Sequence, residues 1–73
     1  MKLEQVLPLL RDGKTITRAK PFKHDGATLI FVKIEESRLK FKCIWSNGKQ
    51  MKDWASYRFR SEDFEADNWE IAG

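Results

Sequence analysis

The 73-residue chain has one cysteine, one histidine, two prolines and four glycines. Each scarcity excludes something. A lone Cys43 cannot close an internal disulfide, and with His24 as the only imidazole there is no Cys/His set for a structural zinc. The glycines are scattered as single turn residues, so there is no glycine-rich phosphate loop. No apolar run approaches the roughly 20 residues of a membrane-crossing helix. The opening "MKLEQVLPLL" has Glu4 and Gln5 inside its apolar part and no small-residue cleavage site. A signal peptide is therefore not expected, and the free thiol fits a reducing cytoplasm. With no repeats, low-complexity tracts or linkers, residues 1–73 read as a single domain.

A domain this small buries only about 60% of the surface its unfolded chain exposes. With no disulfide or metal, it must rely on close packing or on further copies of itself. The means are three tryptophans and five phenylalanines, each of which removes a large area from water. Lys and Arg number 14 against 11 Asp and Glu, a net charge of +3. Cations and acids are interleaved along the chain, which permits an anionic ligand without announcing one.

Leu3, Val6, Leu7 and Leu10 recur at helical spacing, and Gly13 supplies a left-handed residue to end that helix. Pro8 removes a backbone donor and predicts a short, kinked helix. Residues 14–18 alternate as a short strand, 19–26 read as a loop, and the nearly continuous apolar character of 27–35 predicts burial on both faces, hence a central strand or one covered by a subunit. Leu39, Phe41, Cys43 and Trp45 alternate with Lys40 and Lys42. Asn47 and Gly48 fit a type I′ turn, and Met51 and Trp54 fall on the returning strand, predicting a hairpin over about 38–55. Residues 61–67 predict one helical turn with Ser61 as N-cap, and 68–72 a last strand. The expected fold is α+β, with an N-terminal helix on a four- to five-stranded, mainly antiparallel sheet and one short helical turn before the last strand.

Catalytic chemistry is sparsely represented. Glu35 and Glu36 fit a solvated turn, and most acids of 61–71 fit a capped helical turn; Asp63 is the one read as facing inward, to accept hydrogen bonds from a ligand. His24 lies in a polar loop without a metal or triad partner, and Cys43 alternates with core residues as an inert thiol. An enzyme is not expected, and no cofactor is implied. The aromatics exceed what one helix over a small sheet must bury, so some should be exposed for ligand or subunit contact. "WASYRFR" (54–60) interleaves rings with Arg58 and Arg60, a pattern suited to stacking bases and neutralising phosphates, or equally to an ordinary strand with outward arginines.

The opening "MKLEQVLPLLRDGKTITR", the tryptophan–x–serine at Trp54 and Ser56, and the closing "EDFEADNWEI" resemble the phage type-two Thoeris anti-defence family. Its members have an N-terminal helix and an antiparallel sheet, assemble as dimers or tetramers, and sequester nucleotide immune signals without cleaving them. These signals are cyclic ADP-ribose isomers and, in some members, cyclic dinucleotides. The resemblance covers roughly residues 1–18 and 54–71. It departs in the loop, where "AKPFKHDG" replaces a glycine–tryptophan, so that Phe22 takes the place of the tryptophan, in the shorter spacing from Trp54 to Ser56, and in the arginines of "YRFR". It implies a ligand site built from Arg18, Phe22, Trp54, Ser56 and Asp63, to which Arg58 is added for its charge, with Asp67 and Trp69 locking the last strand. It implies a small nucleotide ligand, a homodimer or homotetramer, the host cytoplasm and no membrane. The alternative is a small phage inhibitor that binds nucleic acid or a host defence protein.

Overall fold

The computed structural model describes residues 1–19 and 27–72. The expected loop at 19–26, with Phe22 and His24, therefore lies outside the described residues except for Ala19. The elements run α1 (Leu3–Arg11), β1 (Ile16–Ala19), β2 (Ala27–Glu35), β3 (Arg38–Trp45), β4 (Ala55–Ser56), α2 (Ser61–Glu65) and β5 (Trp69–Ile71). The strands form one antiparallel sheet in the order β4-β3-β2-β1-β5. The expected α+β architecture is what the chain adopts.

α1 buries Leu3, Val6 and Leu10, the stripe that helical spacing puts on one face. Its start is held by the Gln5 side chain, which accepts from the Lys2 backbone N–H at 2.7 Å. Its end is a Schellman turn: Lys14 N–H donates to the Leu9 carbonyl at 3.0 Å and Gly13 N–H to Leu10 at 3.1 Å. Gly13 takes φ +94°, a conformation that costs glycine nothing extra. Pro8 lies inside the helix on its exposed side.

Residues directly opposite in an antiparallel ladder share a face. Ile16 stands opposite Val32, which stands opposite Phe41, and Arg18 opposite Ile30, which stands opposite Cys43. Trp69 faces Arg18 from the other side. This face carries the core: Ile16, Ile30, Val32, Cys43 and Trp69 pack with Leu3, Val6 and Leu10 of α1. The opposite face has no helix over it among the described residues. β2 is central, as expected, but buried on one face only: Phe31 and Lys33 on the other face are half-buried, and Ile34 near its end is 38% exposed.

The type I′ turn expected at Asn47 and Gly48 occurs instead between β2 and β3. β2 and β3 are joined by Glu36 (φ 53°) and Ser37 (φ 64°), the pair of left-handed residues that defines a type I′ connection. At Asn47 and Gly48 only Gly48 is left-handed, at φ +83°. Gly48 N–H donates to the Trp45 carbonyl at 2.9 Å and Trp45 N–H to the Lys49 carbonyl at 2.8 Å. The loop is thus the three-residue type ending in a left-handed glycine, and the Asn47 side chain accepts from Lys49 N–H at 3.0 Å. The returning strand also breaks. Ile44 bridges Gln50, a register that would set Asp53 against Phe41, yet Ala55 stands there. Two extra residues have arched out, and Trp54 sits at the end of that arch.

Candidate functional site

Two groups of residues expected at a site occupy different places. The first is internal. Arg18 is 7% exposed and Asp63 1%, and Arg18 Nη2 donates to Asp63 Oδ1 at 2.8 Å. The second carboxylate oxygen accepts from the Tyr57 hydroxyl at 2.7 Å and from Arg60 N–H at 2.8 Å. This last bond makes Arg60, not the expected Ser61, the N-cap of α2, with Asp63 reaching back in place of a capping side chain. Trp69 Nε1–H donates to the Asp63 carbonyl at 2.9 Å, and the Arg18 guanidinium lies 5.4 Å from the centre of the Trp69 ring.

Asp63 therefore ties β1, the 57–60 segment, α2 and β5 into one knot. A buried ion pair repays its desolvation only with good geometry and added hydrogen bonds, which the Tyr57 hydroxyl and Arg60 N–H supply to the carboxylate here. The family resemblance implied that Arg18 and Asp63 line a ligand pocket, whereas here they face each other in the interior. Burial pushes the Tyr57 hydroxyl well above its ordinary range, and the hydrogen bond to Asp63 and that residue's charge push it further.

A chain of rings continues from the knot: Phe41 to Tyr57 at 4.9 Å, Tyr57 to Phe59 at 5.7 Å, and Phe59 to Trp69 at 6.1 Å. Offset and edge-on pairs of this kind add to what burial alone contributes. The surplus aromatics are thus largely absorbed in packing. Phe64 is 57% exposed, its ring set edge-on to Phe59 at 6.0 Å. Trp69 is fully buried, and Met1 holds the segment before it by accepting from Trp69 N–H at 2.9 Å.

The second group is at the surface. Beyond β4 the chain stays extended, turning Tyr57 and Phe59 to the core and leaving Ser56, Arg58 and Arg60 exposed. Together with Phe41 these residues line a groove of about 370 Å³ at the sheet edge. Three aromatic residues, a serine and two arginines line it. Of the expected ligand residues, Ser56 and Arg58 meet in this groove. Trp54 does not line it. It lies over the face of the sheet opposite α1, with Lys33 Nζ 4.3 Å and Lys42 Nζ 5.8 Å from its ring centre. Lys33 was not singled out from the sequence, whereas the alternation of "KFK" with Leu39 and Cys43 put Lys40 and Lys42 on one face as candidates for binding nucleic acid.

Among the described residues no group of three or more His, Cys, Asp or Glu side chains is placed to hold a metal ion, and no helix is long and apolar enough to cross a membrane. Searches among protein-family models, curated proteins and solved structures find no match for the chain.

Proposed function

We propose that this chain is a phage anti-defence protein that binds a cyclic nucleotide signal in the host cytoplasm and sequesters it uncleaved. The ligand is a cyclic ADP-ribose isomer or a cyclic dinucleotide. The observation that carries the reading is the groove of about 370 Å³ lined by Phe41, Ser56, Tyr57, Arg58, Phe59 and Arg60. Its volume falls in the range of small-molecule sites. Its rings suit a base, its guanidinium groups suit phosphate oxygens through paired hydrogen bonds, and the Ser56 hydroxyl suits a ribose.

The groove lies at the β4 edge, where only two residues pair with β3. A second copy set against that edge would supply the missing wall, so the proposal includes a homodimer or homotetramer. The terminal motifs that carry the family resemblance support it indirectly, because they fold together through the Arg18–Asp63 pair and so hold the 57–60 segment in place. The alternative, an inhibitor that binds nucleic acid or a host defence protein, draws on a different part of the molecule, the basic open face of the sheet.

Calorimetric titration with cyclic ADP-ribose isomers and cyclic dinucleotides tests the proposal. Binding of at least one is expected, weakened about tenfold by Arg58→Ala through loss of a charge-assisted bond. Absence of heat with every one of them contradicts it.

A further inference from the structure

The face of the sheet opposite α1 carries a row of cations that neither the core nor the groove uses. Along β3, Arg38, Lys40 and Lys42 alternate with the inward Leu39, Phe41 and Cys43. They are therefore spaced about 6.8 Å apart on one face. Lys33 of β2 stands directly opposite Lys40, and Ser56 of β4 stands opposite Lys40 on its other side. Phe31 lies between Thr17 and Lys42 in the next row. Like charges set directly opposite destabilise a sheet, so this arrangement is costly unless something anionic covers it. The acid beside them on these strands is Glu35, 2.8 Å from Lys33 Nζ. The hydrogen bond and charge of Lys33 hold its carboxyl below the usual range. Among the described residues neither Lys40 nor Lys42 has a carboxylate within ion-pair distance.

Over this row sits Trp54, brought there by the two-residue arch that breaks the returning strand. Its indole lies within cation–π range of the ammonium groups of Lys33 and Lys42 and is only half-buried. An aromatic ring beside a linear track of cations is the arrangement by which single-stranded nucleic acids are held without sequence preference: bases stack on the ring while phosphates follow the charges. We infer that the open face of the sheet is a binding platform for single-stranded nucleic acid, with a base on Trp54 and successive phosphates on Arg38, Lys40 and Lys42. The site adjoins the groove at Ser56 but uses Trp54 and the lysines, which do not line it, and it does not depend on the sequestering function. Charge complementarity selects this occupant over a second copy of the chain, whose own lysines would repel these.

Fluorescence anisotropy of a labelled oligothymidylate, repeated across a salt series, tests the inference. Each phosphate neutralised on a single strand contributes about −0.7 to the slope of log affinity against log salt, so three or four cations predict a slope of about −2 to −3. The double variant Lys40→Gln, Lys42→Gln should reduce the steepness by about 1.4. Trp54→Ala should weaken binding roughly tenfold or more. Glu35→Gln, which removes the acid beside Lys33, should tighten binding several-fold, a gain that misfolding cannot produce. Failure to bind at about 50 mM salt, equal binding of the corresponding duplex, or an unchanged slope in the lysine double variant overturns the inference. Because the probe is an oligonucleotide, its failure is read separately from that of the cyclic nucleotides in the groove.

Discussion

Replacing Asp63 with alanine would leave the Arg18 guanidinium, 7% exposed, in the interior without its carboxylate, and would remove the acceptor for the Tyr57 hydroxyl and the cap of α2. Breaking a buried pair from one side typically costs about 3–5 kcal/mol, comparable with the whole stability of a small domain. Asp63→Ala should therefore be largely unfolded in a urea titration, while Glu62→Ala on the exposed side of the same helix should stay within about 0.5 kcal/mol of the parent. A loss below about 1 kcal/mol for Asp63→Ala would show that the knot is not what holds β5. Tyr57 is the only tyrosine, so its phenolate absorbance reports on the same knot. Its folded pKa is raised, so above an unfolded value of about 10 the unfolded chain releases a proton that the folded chain keeps. Stability should then fall with rising pH, at up to about 1.4 kcal/mol per unit, and Tyr57→Phe should flatten that decline. The sequence marked Asp63 as an inward acid among outward ones. It could not show the direction of that burial, because Arg18 lies 45 positions away and no local pattern links the two.

At the scale of elements, alternation was legible and turn geometry was not. Lys40 and Lys42 against Phe41 and Cys43 announce an exposed and a packed face wherever the strand ends, and Gly13 announces the close of α1. The type of turn depends instead on how the two strands meet. Glu36 and Ser37 adopt left-handed φ of 53° and 64° because the pairing of Glu35 with Arg38 leaves only two residues to reverse the chain. A side chain in that region costs about 1–2 kcal/mol. Replacing Ser37 with glycine should relieve the strain, offset in part by glycine's greater unfolded freedom. A net gain of about 0.5–1 kcal/mol in thermal or urea unfolding is expected, and a loss would contradict the reading of this turn. The arch before Ala55 was equally unforeseen. "GKQMKDWAS" reads as continuous alternation, and the two surplus residues show only once Ile44 is paired with Gln50 and Phe41 with Ala55.

Across the whole molecule, the strand order β4-β3-β2-β1-β5 separates what the sequence keeps close. Residues 54–60 contribute Trp54 to the open face, Ser56 and Arg58 to the groove, and Tyr57 and Phe59 to the packed rings. The same order joins what the sequence keeps apart, setting β5 against β1 so that both terminal motifs meet at Arg18, Asp63 and Trp69. The two motifs therefore build one structural corner, and the proposed ligand groove belongs to the segment that this corner positions. The most direct test of sequestration is native mass spectrometry of the protein with excess cyclic ADP-ribose isomer or cyclic dinucleotide, followed by denaturation and analysis of what is released. An oligomer carrying the nucleotide is expected, with release of that nucleotide at its original mass. A ligand-free protein, or a hydrolysed product after release, would contradict it.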